Sequence, residues 1–451
     1  MGVVTRAKMR RLQEEQELVL DHISVLPDGV LGDIVSLLPT KDGARTQLLS
    51  SRWRHLWRAA PLNLDFNVGI CIYNDYQTTS VAGMSGILSS HPGPGRRFAI
   101  QSNRWVVAMA ELDGWLRCPS LNNLEELKIH FIHYRQRRRW TPPPPPLLPA
   151  SALRFSSTLA AASFDYCTFP DCGSNDAIAM PLLKRLTLLH VTISEASLQA
   201  LLAGCHVLET LLLLNNKGYP RLKIASNSLR SIGAGENLKS IASNSRREGD
   251  LRLQQIVIED APCLERLLFA KCAIAIDISI VSAPRLSVLG ELIGDNYIIR
   301  FGTTALQVAR GISLKSVVHS VRVLALSYVK PDEIINLMRC FPHLEKLYIQ
   351  RIPVGEKNES HDKYWKLAGT IDIRLRKVVL PYCEDYKATI NFAKFFVRNA
   401  RLLESMTLEL QLGNVGKNAW IIRQQFGEAF TIQRPREGAC LRCLSVKEEI
   451  G

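Results

Sequence analysis

The feature that most constrains this chain is a short phrase: leucine, two residues, leucine, one residue, leucine. It recurs from about residue 120 onward. The good copies are Leu124-Leu127-Ile129, Leu183-Leu186-Leu188, Leu208-Leu211-Leu213, Leu264-Leu267-Phe269, Leu344-Leu347-Ile349, Leu375-Val378-Leu380 and Leu403-Met406-Leu408. Weaker copies are Leu159-Ala162-Phe164, Leu229-Ile232-Ala234 and Val321-Leu324-Leu326. Several neighbours begin 21–28 residues apart, inside the period of leucine-rich repeats. Between Leu229 and Leu264 the step is longer, and the extra segment holds Ile256 and Ile258, a strand without a place in this count. The last two apolar residues of each phrase point to the same side of a strand. One such strand cannot bury its face alone, whereas stacked copies share a core and a parallel sheet. The alternative is an unrelated α/β fold with chance copies; the number of good copies, with turns between them, favours repeats.

A repeat also answers a question of size, because 451 residues exceed one ordinary core. No apolar run approaches the roughly 20 residues of a membrane helix, and the opening residues lack a secretory pattern. Eleven scattered cysteines fit reduced, buried thiols and a cytoplasmic or nuclear setting. Cys440 and Cys443 form one CxxC with no second ligand pair nearby, so no metal is expected. The net charge of +14 favours anionic partners without choosing between nucleic acid and an acidic protein face. Arg135, Arg137, Arg138 and Arg139 precede five consecutive prolines, Pro142–Pro146. Residues 135–149 therefore read as an extended, mobile insertion, a plain linker sooner than an SH3- or WW-type ligand.

Residues 22–58 read as short helices. Pro27 suits an opening turn, Val30, Leu31, Ile34, Leu37 and Leu38 share a broad face, and Pro39 ends the segment. Thr40 can cap a second helix carrying Ala44, Leu48 and Leu49. Ser50 and Ser51 precede a third, in which Trp53, Leu56 and Trp57 make one ridge. So short a stretch cannot bury all these side chains against itself, and each one left in water forfeits on the order of 1.5–3 kcal/mol. The strip needs a cover: the rest of the chain, as a helical cap on the repeats, or another protein.

The stretch LPDGVLGDIVSLLPTKDGARTQLLSSRWRHLW closely resembles the F-box. Ser51 stands where that family usually has Arg or Lys, and Gly43 is a softer residue than usual, expected to loosen its helix by roughly 1 kcal/mol relative to Ala. In that family the module docks on a Skp-type adaptor and through it a cullin. The resemblance assigns adaptor contact to Leu26, Pro27, Ile34, Leu37, Leu38, Pro39, Leu48, Ser50, Trp53 and Trp57. Residues 371–410 are similar to the FBD domain that ends many plant F-box/leucine-rich-repeat proteins, through Leu375, Lys377, Val379-Leu380, Phe392, Phe395-Phe396, Leu403 and Met406.

The expected fold is α+β: a three-helix F-box module followed by an irregular leucine-rich-repeat α/β solenoid ending in an FBD-like unit. The expected divisions are a tail (1–20), the F-box (21–60), a connecting region with the first solenoid units (61–119), the repeats (120–360), the FBD-like unit (361–412) and a C-terminal segment (413–451). No metalloprotease, nucleophile-elbow, phosphate-loop or dinucleotide motif is present, so neither catalysis nor a cofactor is expected. What the resemblance implies is a substrate-recruiting subunit of an SCF-type ubiquitin ligase; a non-ligase scaffold and a basic solenoid binding nucleic acid are the alternatives. The target would sit on the open face of the sheet. There a basic column with Arg185, Arg266, Lys346 and Lys377 runs beside Leu212, Leu268 and Tyr348, suiting an acidic segment with an apolar anchor. The competing reading is that Leu212, Leu268 and Val379 only fill gaps between strands.

Overall fold

The computed structural model describes residues 23, 25–38, 40–68, 81–91, 93–103, 107–132, 144–171, 178–235, 251–269, 275–293, 297–302, 304–307, 317–349, 372–381 and 386–410, with three short strands beyond them. The chain forms two compact units, residues 1–142 with 149–159, and residues 143–148 with 160–451.

The first unit opens with three helices, α1 (Asp28–Leu37), α2 (Thr40–Thr46) and α3 (Ser51–Ala59). Pro27 takes the position before α1, where its missing N–H costs nothing, and Asp28 complements the first turn. There follow β1 (Leu62–Val68), α4 (Val81–Ser90), β2 (Gly95–Asn103), α5 (Met109–Leu116), a 3₁₀ turn (Pro119–Leu121) and β3 (Glu126–Ile132). The strands pair in parallel, β1 to β2 to β3, with helices supplying the crossovers that parallel strands require. In register, Leu64, Phe98 and Leu127 form one buried row, and Phe66, Ile100 and Ile129 the next. Strand stacking therefore begins at residue 62, before the first clear phrase. Its signal is hidden because Gly95 occupies the first leucine position of β2, and Leu121 fills the space a side chain there would need. Residues 149–159 return to this unit. The Arg154 guanidinium donates to the Cys118 carbonyl (2.9 Å) and to Asn122 (2.9 Å), and the Thr158 hydroxyl donates to the Leu124 carbonyl (2.7 Å).

The second unit contains β4 (Ala161–Asp165), β5 (Arg185–Leu189), α6 (Glu195–Ala203), β6 (Thr210–Leu214), β7 (Arg221–Ala225), β8 (Ser231–Gly235), β9 (Gln255–Asp260), β10 (Arg266–Phe269) and β11 (Ile276–Ile280). It continues with β12 (Val288–Ile293), β13 (Tyr297–Phe301), β14 (Thr304–Gln307), β15 (Val323–Ser327), α7 (Pro331–Cys340), β16 (Lys346–Ile349), β17 (Lys377–Pro381), α8 (Tyr386–Asn399) and β18 (Ser405–Leu410). Short strands β19 (Phe430–Thr431), β20 (Leu441–Cys443) and β21 (Ser445–Val446) follow, β20 antiparallel to β18. Cys440 of the CxxC lies outside the described residues.

The main sheet of this unit is parallel, in the order β4-β5-β6-β8-β10-β12-β15-β16-β17-β18. Each phrase from Leu159 onward is one of its strands. What returns the chain to the next strand varies. The return is helical at α6, α7 and α8. The Ser194 side chain caps α6, accepting from the Ser197 N–H, and α7 opens on Pro331. Between β6 and β15 the returns are short, isoleucine-rich and alternating, so they form a second sheet, with β7, β9, β11 and β13 parallel and β14 antiparallel on β13. This places the strand that the sequence left uncounted: Ile256 and Ile258 are buried residues of β9. Phe269 of the main sheet and Tyr297 of the second meet with ring centroids 4.9 Å apart. At the edge of β7, Gln199 of α6 donates to the Lys223 carbonyl (3.3 Å), covering part of a strand edge otherwise open to pairing.

The proline stretch departs from expectation. Pro144–Leu148 is docked and is no plain linker: the Thr168 N–H donates to the Pro146 carbonyl (2.7 Å), the Thr168 hydroxyl to the Pro145 carbonyl (3.2 Å), and the Leu148 N–H to the Thr168 carbonyl (2.8 Å). Proline keeps its carbonyl acceptor, and an extended polyproline chain presents such acceptors to a neighbouring edge. The run continues through bridges Leu147–Thr168, Thr168–Thr192 and Thr192–Lys217. The arginines at 135–139 lie outside the described residues.

Strand exits are marked by left-handed backbone at Tyr166, His190, Asn215 and Tyr328, with φ of 54°, 48°, 58° and 57°. Asn and His tolerate this region better than most residues, and such strain persists only where surrounding bonds hold it. They do so here: His190 Nδ1 lies 3.0 Å from Asp165 Oδ1, and Asn215 Nδ2 lies 3.1 Å from His190 Nε2. One residue on, buried Asn216 accepts from the Val191 N–H (2.9 Å) and donates to the Leu188 carbonyl (3.0 Å), tying successive turns together. His190 is thus part of the turn architecture.

Candidate functional site

Two surfaces carry the candidate residues, one in each unit. In the first unit, α1 buries Leu31 and Val35, and α3 buries its Trp53, Leu56 and Trp57 ridge. The Trp57 ring lies against Gly43 of α2 and sits 5.4 Å from the His91 ring, centroid to centroid. Gly43 is therefore required by the close approach of the indole, which the expectation of a softened helix did not include. Arg52 ties the entry of α1 to α3, pairing with Asp28 (2.6 Å) and donating to the Leu26 carbonyl. The Asn63 side chain of β1 donates to the Ser36 carbonyl, anchoring α1 on the first strand.

The residues assigned to adaptor contact divide accordingly. Trp53 and Trp57 are only 7% exposed and are core residues, because their ridge is the face α3 turns toward α1 and α2. That corrects their place in the contact set. Ile34, Leu37 (67% exposed) and Leu48 (87%) face outward, joined by Val25, Val30 and Leu49, which the sequence assignment had left out. Pro27 and Ser50 are exposed, Leu26 and Leu38 half-buried, and Pro39 lies outside the described residues. The helical period could have found the missing members: Val30, Ile34 and Leu37 lie at i, i+4 and i+7 on α1. Several exposed apolar side chains on one short module make a candidate interaction surface.

In the second unit the open face of the main sheet is ordered by register. One row runs Arg185, Thr210, Ser231, Arg266, Val288, Val323, Lys346, Lys377, Ser405. Two residues further along the strands, a second row runs Thr187, Leu212, Gly233, Leu268, Gly290, then Ala325, Tyr348, Val379 and Thr407. The basic residues are thus less continuous than the phrases alone imply. Ser231 separates Thr210 from Arg266, and Val288 and Val323 separate Arg266 from Lys346. Glu126, at the corresponding position of β3, belongs to the first unit and pairs with Arg97 at 3.3 Å. Leu212 leans over Gly233 and Leu268 over Gly290, with a Cβ at either glycine falling 2.6 or 2.7 Å from the leucine methyl. Both therefore fill space between strands, though Leu268 stays 39% exposed. Val379 is buried. Arg185, Arg266 and Lys346 are exposed, and Lys377 lies over the Tyr348 ring at 5.9 Å.

A third row, just before the first, had not been anticipated. It reads Lys184, Glu209, Arg230, Glu265, Ser287, Arg322, Glu345, Arg376, Glu404, each residue's N–H bonded to the carbonyl of its predecessor. Charges alternate along it, and neighbours pair: Arg230 with Glu265 (3.0 Å), Arg322 with Glu345, and Arg376 with Glu404 (2.7 Å). The signal is legible in the phrases, whose second position alternates between base and acid. This row neutralises itself; the row beside it contains bases and no acid.

Burial pushes the Cys167 thiol up to about 12 and the Cys205 and Cys340 thiols up to about 11, so none supplies a thiolate nucleophile near neutral pH. Among the described residues no three His, Cys, Asp or Glu side chains are grouped to hold a metal ion, and no helix is long and apolar enough to cross a membrane.

Comparison with known proteins places the chain in a family. The F-box profile matches residues 23–65, and the profile described as "FBD-associated F-box protein At5g56370, LRR repeats" matches residues 112–349. Among relatives in Arabidopsis thaliana, F-box/LRR-repeat protein At3g03360 is 26% identical over 283 residues, 61% of this chain and 53% of the relative. F-box protein At5g03100 is 30% identical over 197 residues, 43% and 56% respectively. Putative F-box/FBD/LRR-repeat protein At5g22610 is 31% identical over 234 residues, 50% and 44%. The chain spans about half the length of the curated relatives it matches. With an F-box ahead of a repeat profile that covers more than half its residues, the chain belongs to the family of FBD-associated F-box proteins with leucine-rich repeats.

Proposed function

We propose that this chain is the substrate-recruiting subunit of an SCF-type ubiquitin ligase. In this reading its F-box docks on a Skp-type adaptor, the adaptor joins it to a cullin, and its repeats form a solenoid that holds a target protein. The observation that carries the reading is the outward apolar set Val30, Ile34, Leu37, Leu48 and Leu49 on a module whose core is already filled by Leu31, Val35, Trp53, Leu56 and Trp57. The module has closed its own core and still presents a hydrophobic strip, which asks for a second protein.

The mechanism is one of proximity. Holding the target and the ligase on one scaffold raises the effective concentration of target lysines near activated ubiquitin, and the chain itself performs no bond chemistry. β17, α8 and β18 serve as the FBD-like unit that closes the last core face. Phe392, Phe395 and Phe396 are buried there, and Phe396 meets the other two rings edge-on. The buried free thiols suit a reducing, cytoplasmic or nuclear location.

The test is co-expression of the full chain with a Skp-type adaptor and size-exclusion chromatography. A stoichiometric complex is expected, able to capture a cullin; failure to bind any Skp adaptor at micromolar concentration would overturn the ligase reading.

A further inference from the structure

The search for a target site narrows to one stretch of the open face, from β10 to β17. Lys346 and Lys377 are direct register partners on adjacent parallel strands. Like charges placed directly opposite destabilise a sheet, and nothing in their row offsets them, since it holds no acid from Arg185 to Ser405. Glu265, Glu345 and Glu404 of the neighbouring row are committed to Arg230, Arg322 and Arg376. Arg266 stands in the same row as the lysines, three strands away, and among the described residues neither Arg266 nor Lys346 carries a side-chain partner. Three strand spacings make about 14 Å.

Between these two cationic points the floor changes character. Val288 and Val323 lie in the row of the cations, with Gly290 and Ala325 beside them. Leu268 leans over Gly290, so the floor between the cations is apolar, with Val288 and Val323 half-buried at its centre. The face is therefore cation, apolar floor, paired cations.

We infer that this face binds an acidic extended segment of the target that carries carboxylates at positions i and i+4 and an apolar side chain at i+2. An extended chain advances about 3.3–3.4 Å per residue and turns alternate side chains to one side. Positions i, i+2 and i+4 then face the sheet together, and the two carboxylates stand about 13–14 Å apart, the spacing of Arg266 from Lys346. The i+2 side chain falls over Val288 and Val323, midway along the row. The second carboxylate stands at Lys346, beside Lys377, and lowers their mutual repulsion. The inference rests on the substrate-receptor reading for its biological meaning, and its test does not depend on the adaptor.

The probe is a fluorescein-labelled peptide, Gly-Glu-Ser-Leu-Ser-Glu-Gly, titrated against the full chain by anisotropy at low salt. Saturable binding is expected, weakened at least about tenfold, the equivalent of roughly 1.4 kcal/mol, by moving the second Glu one residue closer or replacing Leu by Ser. K346E is expected to weaken it to a similar degree while leaving the melting temperature unchanged or raised, because it turns a like-charge pair into an opposite-charge pair. Three outcomes would each overturn the inference: no binding up to about 1 mM peptide, equal binding of the shifted-spacing peptide, or unaltered binding by K346E. Tighter binding of a random single-stranded oligonucleotide, lost in K346E, would also overturn it and assign the face to nucleic acid. Adaptor capture by the same preparation reads the F-box separately, so a failed peptide titration and a failed ligase reading are distinguishable.

Discussion

The indole of Trp57 approaches Gly43 so closely that a Cβ at that position would run into the ring. A glycine inside a helix ordinarily costs roughly 1 kcal/mol relative to Ala. Here the close approach of α2 and α3 outweighs that propensity. Gly43→Ala is therefore expected to destabilise the first unit, by about 1–3 kcal/mol as for other overpacked sites. Urea unfolding followed by tryptophan fluorescence measures it; a stabilised variant would show that the indole shifts freely.

The division of the F-box residues into an outward and an inward set gives a paired expectation. Leu37→Asp and Leu48→Asp should weaken adaptor binding by on the order of 2 kcal/mol each, the scale of interface anchors, with little change in unfolding. Trp53→Ala should cost about 3–5 kcal/mol of stability first, with binding lost as a consequence. Calorimetry of adaptor binding alongside thermal melts separates the two; equal behaviour of the Leu37 and Trp53 variants would contradict the division.

The alternating row of charges should specify register more than stability. Its pairs are solvent-exposed, so Glu265→Arg, which faces Arg230, is expected to cost no more than about 1 kcal/mol. Combining it with Arg230→Glu should restore most of the loss, and both effects should shrink in high salt. A double-mutant cycle read by denaturant midpoints decides this, and additive losses without recovery would mean the pair does not interact.

His91 sets an expectation for pH. Burial lowers its pKa from the ordinary 6.5, partly offset by a hydrogen bond to the Ala60 carbonyl. The unfolded chain then binds its proton more readily than the folded one. Its contribution to stability is complete above about pH 6.5 and is lost as pH falls below that value toward the lowered folded pKa. Melting temperatures between pH 7.5 and 5 should fall more steeply for the native chain than for His91→Gln. Identical slopes would show that another group governs the acid limb.

The reach of the sequence follows from which interactions are local. The phrases fixed where the main-sheet strands lie, because alternation within a strand and stacking between strands act on the same few residues. The F-box helices were legible for the same reason: their ridges repeat at helical spacing. The base–acid alternation before each strand was equally legible, although its pairing needed the register. Other features depended on distant parts of the chain. Whether a return segment became α6 or β9 turned on its neighbours forming a second sheet that one more isoleucine-rich strand could extend. Trp53 and Val30 are both apolar residues on short helices, and only the packing of α3 against α1 and α2 decided that one is core and the other surface. Arg266 and Lys346 followed each other among the good phrases, yet β12 and β15 stand between them. Their spacing, and with it the shape of the proposed target segment, exists only once the strands are paired.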